Sequence, residues 1–256
     1  GVDVGGTGVR AAIVDHTGQV GAVSRRAPPD RSVETVCYAI RSAVRDAGAG
    51  HIDRVGVGVP GFVANQKVVL SPNFPRWKNV RLAELLTEHL MVPVIIENDA
   101  NAAAWGEFRF GAGHDVEDLL LVTVGTGVGG GIVLDGALHR GAFGVGAEIG
   151  HMRVVPNGIL CGCGNRGCFE QYGSGSALVR EARAAAAGGS LLAREVLDLA
   201  GGDPEAITGP LITEAARAGD PFAVEQLADL GRWLGEGIAS LTAVLDPAAV
   251  VIGGGV

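Results

Sequence analysis

Leu119-Leu120-Leu121-Val122-Thr123-Val124-Gly125-Thr126-Gly127-Val128-Gly129-Gly130-Gly131-Ile132-Val133-Leu134 runs from an apolar strand through a Gly-Thr-Gly turn into a second apolar strand. The same spelling stands near the start of the chain. Gly6-Thr7-Gly8-Val9, three residues, then Ile13-Val14 matches Gly125-Thr126-Gly127-Val128, three residues, then Ile132-Val133. This duplication predicts two related sheets. Each hairpin tip offers backbone N–H groups and one hydroxyl to an anion, and two tips facing across a cleft would clamp a polyphosphate tail. Either turn alone reads equally well as a tight hairpin that is Gly-rich for steric reasons. Their duplication, with Asp3 at the mouth of the first, favours phosphate. No Gly-Lys-Ser/Thr follows a glycine run, and no strand leads into the spaced glycines of a dinucleotide fold.

Outward from these turns the order is mixed α/β. Gly1 to Arg25 reads as a meander of antiparallel hairpins with a strand at Val9 to Val14 and a turn at Asp15 to Gly18. Ser32 to Ala47 and Leu82 to Met91 carry helical patterns, and Arg54 to Val59 and Val94 to Glu97 read as strands. Asp99 to Phe110 reads as a helix that Asp99 could cap, followed by strands at Leu119 to Val124 and Gly131 to Leu134. Ser174 to Leu245 is almost wholly helical, with breaks at Gly188-Gly189, Gly201 to Pro204 and Gly219 to Pro221. Ala249 to Ile252 is a final strand. No Pro- or Ser-rich tether separates the halves, so a boundary is expected as a hinge near Glu97 to Asn101.

With 256 residues, 47% of them hydrophobic, the chain can bury a sizeable core. A net charge of -8 argues against nucleic acid as the main partner, because that surface calls for clustered Lys and Arg. No apolar run reaches the ~20 residues of a membrane span, and no leader pattern opens the chain, so a cytoplasmic protein is expected. Gly1 without Met and the closing Gly253-Gly254-Gly255-Val256 read as trimmed ends. Glycine, 42 of 256 residues, is about twice its usual share of roughly 7%, as close backbone approach to a ligand would require.

Three constellations carry chemistry. Glu97-Asn98-Asp99-Ala100-Asn101 closes an apolar strand and opens a helix, where open α/β sheets place ligands. Asp99 there reads as a general base that the helix N-terminus would hold ionised, or as a helix cap only. Glu148-Ile149-Gly150-His151 followed by Cys161, Cys163 and Cys168 spells His-x9-Cys-x-Cys-x4-Cys, a tetrahedral zinc set with no open position; one disulfide plus a free Cys is the alternative. Glu148 and Glu170 bracket this unit and suit adjacent sugar hydroxyls, or are surface acids. Asn73, in the rigid Ser71 to Trp77 loop, and the Gly253 to Gly255 run are weaker candidates, for a ligand and for a nucleotide base. Cys37 reads as core.

Together, Asp3-Val4-Gly5-Gly6-Thr7, Glu97 to Asn101, Gly125 to Gly131, Glu148 to His151 and the Cys cluster with Glu170 resemble the ROK family (repressors, open reading frames and kinases), in its bacterial glucokinase branch. The resemblance runs over the whole chain in motif order. It implies two ribonuclease-H-like (actin-like ATPase) domains with a ligand cleft between them, a small N-terminal one at 1–97 and a larger one at 98–256. It implies ATP-dependent phosphorylation of the 6-hydroxyl of glucose, with another hexose, an N-acetylhexosamine or a sugar-sensing repressor as alternatives. Carried over by position, Asp99 is similar to the catalytic base, and Gly61, Asn73, Asn98, Asp99, Glu148, His151 and Glu170 to sugar-contacting residues. His151, Cys161, Cys163 and Cys168 correspond to zinc ligands. Gly5, Gly6, Thr7, Gly125, Thr126 and Gly127 correspond to the phosphate loops, Gly253, Gly254 and Gly255 to the adenosine side, and Asp3 to the acid that helps place Mg2+. A homo-oligomer, dimer or tetramer, is implied as well. The chain departs from the family pattern at Gly8, where Lys is usual.

Overall fold

The computed structural model describes residues 1–6, 8–48, 51–71 and 73–256. In chain order the first half forms β1 (Val2–Gly5), β2 (Gly8–Ala11), β3 (Ser24–Arg26), α1 (Val33–Asp46), β4 (Val55–Val59), β5 (Phe62–Ala64), β6 (Lys67–Leu70), β7 (Lys78–Val80), α2 (Leu82–Leu90), β8 (Val94–Asn98) and α3 (Asp99–Phe110). The second half forms β9 (Leu119–Val124), β10 (Val128–Leu134), β11 (Ala137–Leu138), α4 (Gly175–Ala187), α5 (Arg194–Leu199), α6 (Gly209–Arg217), α7 (Pro221–Leu245) and β12 (Ala249–Gly254).

Two larger sheets follow the duplicated turns, one ordered β3-β2-β1-β4-β8 and one β11-β10-β9-β12. In the first, β1, β2 and β3 are antiparallel, whereas β1, β4 and β8 are parallel. Alternation decides which face is which, because successive side chains point to opposite sides of a strand. Val2, Val4, Val57, Val59 and Ile96 are buried beneath α1 and α2, with Ile40, Leu82 and Leu86 fully enclosed. Each such large side chain contributes about 1.5–3 kcal/mol of burial. The other face carries the row Arg10, Asp3, Gly58 and Glu97, set side by side by the strand register.

By compactness the chain divides into one unit of residues 1–121 and 131–147 and another of 122–130 and 148–256. The first unit holds the core just described. The second has its own, built from α4 to α7 around Leu178, Ile207, Ile212 and Phe222. No described helix is long and apolar enough to cross a membrane.

Two local expectations are corrected, and one sheet lacks a signal in the sequence. The three-stranded sheet β5-β6-β7 has no clear periodicity in the sequence, since its strands are only three or four residues long. The first meander is shorter than its pattern suggests: beyond Ala11 a single bridge, Val14 to Val20, remains before β3. Asn98, not Asp99, caps α3, its side chain accepting the Asn101 N–H at 2.9 Å.

Candidate functional site

In the first unit, β8 runs straight into α3 and places Asn98 and Asp99 where strand becomes helix. The Asn98 Nδ2 donates to the Gly61 carbonyl at 3.0 Å. Gly61 has φ +117°, and a Cβ there would lie 2.5 Å from the Leu70 carbonyl oxygen, so only glycine fits. Glu97 accepts from Arg140 Nε at 2.7 Å and from Asn101 Nδ2 at 3.3 Å, which holds the β11 loop against the start of α3. Asp99 itself stands over Gly58, where a Cβ would make an ordinary contact at 3.6 Å with the Asp99 Cα.

The Asp99 carboxyl lies above its usual range. Burial is the main cause, a hydrogen bond from the Ala100 N–H partly offsets it, and the charge of Asp3 adds to the rise. The start of α3 therefore does not by itself set the proton affinity of Asp99: burial, which raises it, outweighs the backbone N–H groups that lower it. Asp3 is exposed and pairs with Arg10 across the hairpin at 3.6 Å. Gly5 closes β1, paired with Gly8, and Gly6, in the turn that follows, has open space around it. Thr7, expected in this turn, lies outside the described residues. Asn73 is exposed at the rim of a loop whose base is Phe74 stacked on Trp77, with ring centroids 4.5 Å apart.

In the second unit the second turn closes on itself, the Gly125 N–H donating to the Gly127 carbonyl at 3.0 Å. It docks on the N-terminus of α4, where the Gly175 N–H donates to the Gly125 carbonyl at 2.8 Å. Gly255 joins the same neighbourhood by donating to the Val124 carbonyl at 2.9 Å. A cavity of ≈ 930 Å³ opens here, lined by Gly125, Thr126, Ser176, Arg183, Pro210 and Gly255 among others, which is ample for a small ligand. Of the expected glycine run, Gly255 reaches this cavity. Gly253 and Gly254 belong to β12, with Gly254 pressed on Val124. Ser176 and Arg183 were not singled out by sequence. The available signal was Gly173-Ser174-Gly175-Ser176, a helix start of the kind that receives anions.

His151, Cys161, Cys163 and Cys168 converge, with ligand atoms all within 4.8 Å of one another. A tetrahedral zinc with Zn–S of about 2.3 Å and Zn–N of about 2.0 Å sets sulfurs roughly 3.8 Å apart and nitrogen roughly 3.5 Å from sulfur. The Cys163 and Cys168 sulfurs are 3.7 Å apart, and the His151 Nδ1 lies 3.6 Å from the Cys161 Sγ. The donor set fits zinc, and the disulfide alternative is overturned, since all four cysteines are free. Burial drives the Cys161 thiol well above its ordinary value, with Glu170 adding to the effect. At Cys163 burial is outweighed by the Asn165 N–H and neighbouring thiols, which lower it. Cys37 is core as expected, its thiol pushed up to about 11 by burial and by Glu34.

The loop that carries these ligands is stapled by Cys161 N–H to Asn165 O at 2.8 Å, Gly167 N–H to Ile159 O at 2.8 Å and Phe169 N–H to Met152 O at 2.8 Å. Phe169 is fully buried and fits against α7 only because residue 237 is glycine, where a Cβ would lie 2.3 Å from its ring. Glu170 then faces two ways. Its Oε1 accepts from the Cys161 Sγ at 3.0 Å, and its Oε2 lies where a Cβ on Gly127 would come within 2.6 Å. Glu148 starts the short turn Ile149–His151, its carbonyl accepting the His151 N–H at 3.0 Å. That turn rests on β10 at Gly150, where a Cβ would be 2.0 Å from the Val128 oxygen.

The family model described as the ROK family matches residues 1–256. A glucokinase of Streptomyces coelicolor is 45% identical over 258 residues, covering 100% of this chain and 81% of the relative. A glucokinase of Thermotoga maritima is 36% identical over 260 residues, with 100% and 81% covered. A ROK family glucokinase from Streptomyces griseus, crystallised with glucose and AMPPNP, is similar with a TM-score of 0.89 at 46% identity, covering 100% of this chain and 82% of that one. The α/β architecture of the chain is accordingly that of the ROK glucokinases, the actin-like ATPase fold.

Proposed function

We propose that this chain, which belongs to the ROK family, is a glucokinase that transfers the γ-phosphoryl group of ATP to the 6-hydroxyl of glucose. The observation that carries the reading is Asp99, a largely buried carboxylate with raised proton affinity at the β8–α3 junction. Asp99 accepts the proton of the 6-hydroxyl as that oxygen bonds to the γ-phosphorus; the bond from phosphorus to the β–γ bridging oxygen breaks, and ADP leaves. Asn98, Gly61, Asn73, Glu148, His151 and Glu170 are assigned to the sugar hydroxyls. The turns at Gly5 to Thr7 and Gly125 to Gly127 are assigned to the phosphates. Gly255 and the cavity at the start of α4 are assigned to adenosine.

Magnesium, when bound with ATP, neutralises phosphate charge, and Asp3 is the acid we assign beside it. His151, Cys161, Cys163 and Cys168 would hold zinc, and four protein ligands would leave it a structural role. The two domains expected at 1–97 and 98–256, a cytoplasmic setting and a dimeric or tetrameric assembly complete the reading. A panel of hexoses and N-acetylhexosamines with ATP, GTP and polyphosphate tests it. Glucose with ATP is expected to give the highest kcat/KM, and a protein that turns over none of these pairs would overturn the reading.

A further inference from the structure

Arg31 lies between Pro28-Pro29-Asp30 and Ser32, the N-cap of α1. Its guanidinium reaches two carbonyl oxygens from distant parts of the first unit. One nitrogen donates to Asn73 O at 3.0 Å and the other to Gly6 O at 3.2 Å. Asn73 is on the loop assigned to sugar, and Gly6 is on the turn assigned to phosphate. The backbone of Arg31 is tied to the same loop, since the Trp77 indole N–H donates to its carbonyl at 3.0 Å. Trp77 is fully buried, so this anchor is set in the core. On the other side Asp30 accepts the Ser32 N–H at 2.8 Å and the Thr35 hydroxyl at 2.7 Å, which holds the approach to α1. A side chain fixed at its root, with its fork divided between two ligand loops, has a geometric task beyond surface solubility.

We propose that Arg31 is a positioning residue for the phosphoryl transfer, tying the donor turn at Gly6 to the acceptor loop at Asn73. The proposal rests on the kinase reading given above. Gly6 and Asn73 have few packing constraints of their own: both are exposed, and a Cβ on Gly6 would meet nothing within 4 Å. The guanidinium supplies the missing constraint. A planar fork can satisfy two carbonyls at once, whereas a lysine ammonium on a flexible stem is a point charge that does not reproduce the pair. Ordering both loops before ligand arrives lowers the entropy lost on binding either substrate. Arg31 therefore links the affinities of sugar and nucleotide on the first unit without touching the reacting atoms.

The test is steady-state kinetics of the wild-type protein, Arg31→Ala and Arg31→Lys, varying glucose and ATP separately, with thermal melting of each variant. Arg31→Ala is expected to raise both KM values by roughly tenfold, the scale of a lost charged hydrogen bond, while its melting temperature stays within a few degrees. Arg31→Lys keeps the charge but can reach one carbonyl, so it should recover one KM and not both. Should Arg31→Ala fail to fold, the split between the two KM values in Arg31→Lys carries the test. Wild-type KM values in Arg31→Ala, or full recovery of both by Lys, would overturn the proposal while leaving the kinase reading intact. Absence of hexose turnover by the wild-type protein would overturn both.

Discussion

Asp99 holds a carboxylate where water is scarce, and the same burial that prepares it as a base makes its charge costly to the fold. Because its folded-state pKa is raised, the folded protein binds this proton more tightly than the unfolded chain. Stability attributable to the group is present at low pH and is lost as pH rises through the raised value. Asp99→Asn should therefore melt higher than wild type at pH 7, and the difference should vanish as pH falls towards the ordinary carboxylate value of about 3.9. The same variant should lose roughly 10²–10⁴ in kcat with little change in the KM for glucose. In the wild type, kcat/KM should fall on acidification through the raised Asp99 value, at higher pH than for an exposed carboxylate. Near-normal turnover by Asp99→Asn would reduce Asp99 to a structural group.

The zinc loop is an element that its own apolar content does not hold together. Leu160 is 58% exposed, and Phe169 is its one fully buried large side chain. Metal binding at such a site is local folding free energy. We expect about one zinc per chain, and Cys161→Ser should lose both the metal and glucose phosphorylation while keeping its helical circular dichroism. A fully active, metal-free Cys161→Ser protein would contradict this. The loop also meets the second glycine turn at Glu170. In Gly127→Ala the new methyl would displace the Glu170 carboxylate, whereas at Gly125 a Cβ meets nothing within 4 Å. Gly127→Ala should raise the KM for glucose several-fold, and Gly125→Ala should leave it near wild type. Equal sugar affinity in the two variants would show that the contact has no consequence for binding.

Among the described residues, two hydrophobic clusters share no member, one around Ile40, Leu82 and Leu86 and one around Leu178, Ile207 and Ile212. Each cluster is thus a packed interior of its own. Leu86→Ala and Ile212→Ala should each destabilise by about 2–5 kcal/mol, and the double variant should show the sum within about 0.5 kcal/mol. Chemical unfolding followed separately through zinc release and through overall circular dichroism would measure this. Leu86→Ala should shift the dichroism transition without advancing zinc release, and early zinc release in that variant would argue that the two cores unfold as one.

Sequence alone determined the features that depend on neighbours along the chain. The duplicated Gly-Thr-Gly turns, the strand-to-helix passage at Asn98 and Asp99, and the His151, Cys161, Cys163 and Cys168 spacing are each contained within a few to about twenty residues. Chain geometry over so short a span leaves few arrangements, so residue type and spacing imply chemistry directly. Tertiary structure alone decided what depends on distant partners. The cap on α3 passed to Asn98 because only its amide can both accept from Asn101 and donate to Gly61, 37 residues away. The sign of the Asp99 shift came from burial, which no local pattern reports. Arg31 acquired its partners across separations of 25, 42 and 46 residues, and Glu170 met Gly127 from another part of the second unit. Contacts of that kind form only when separately folded elements pack, and packing sums many weak contributions that no single stretch of sequence contains.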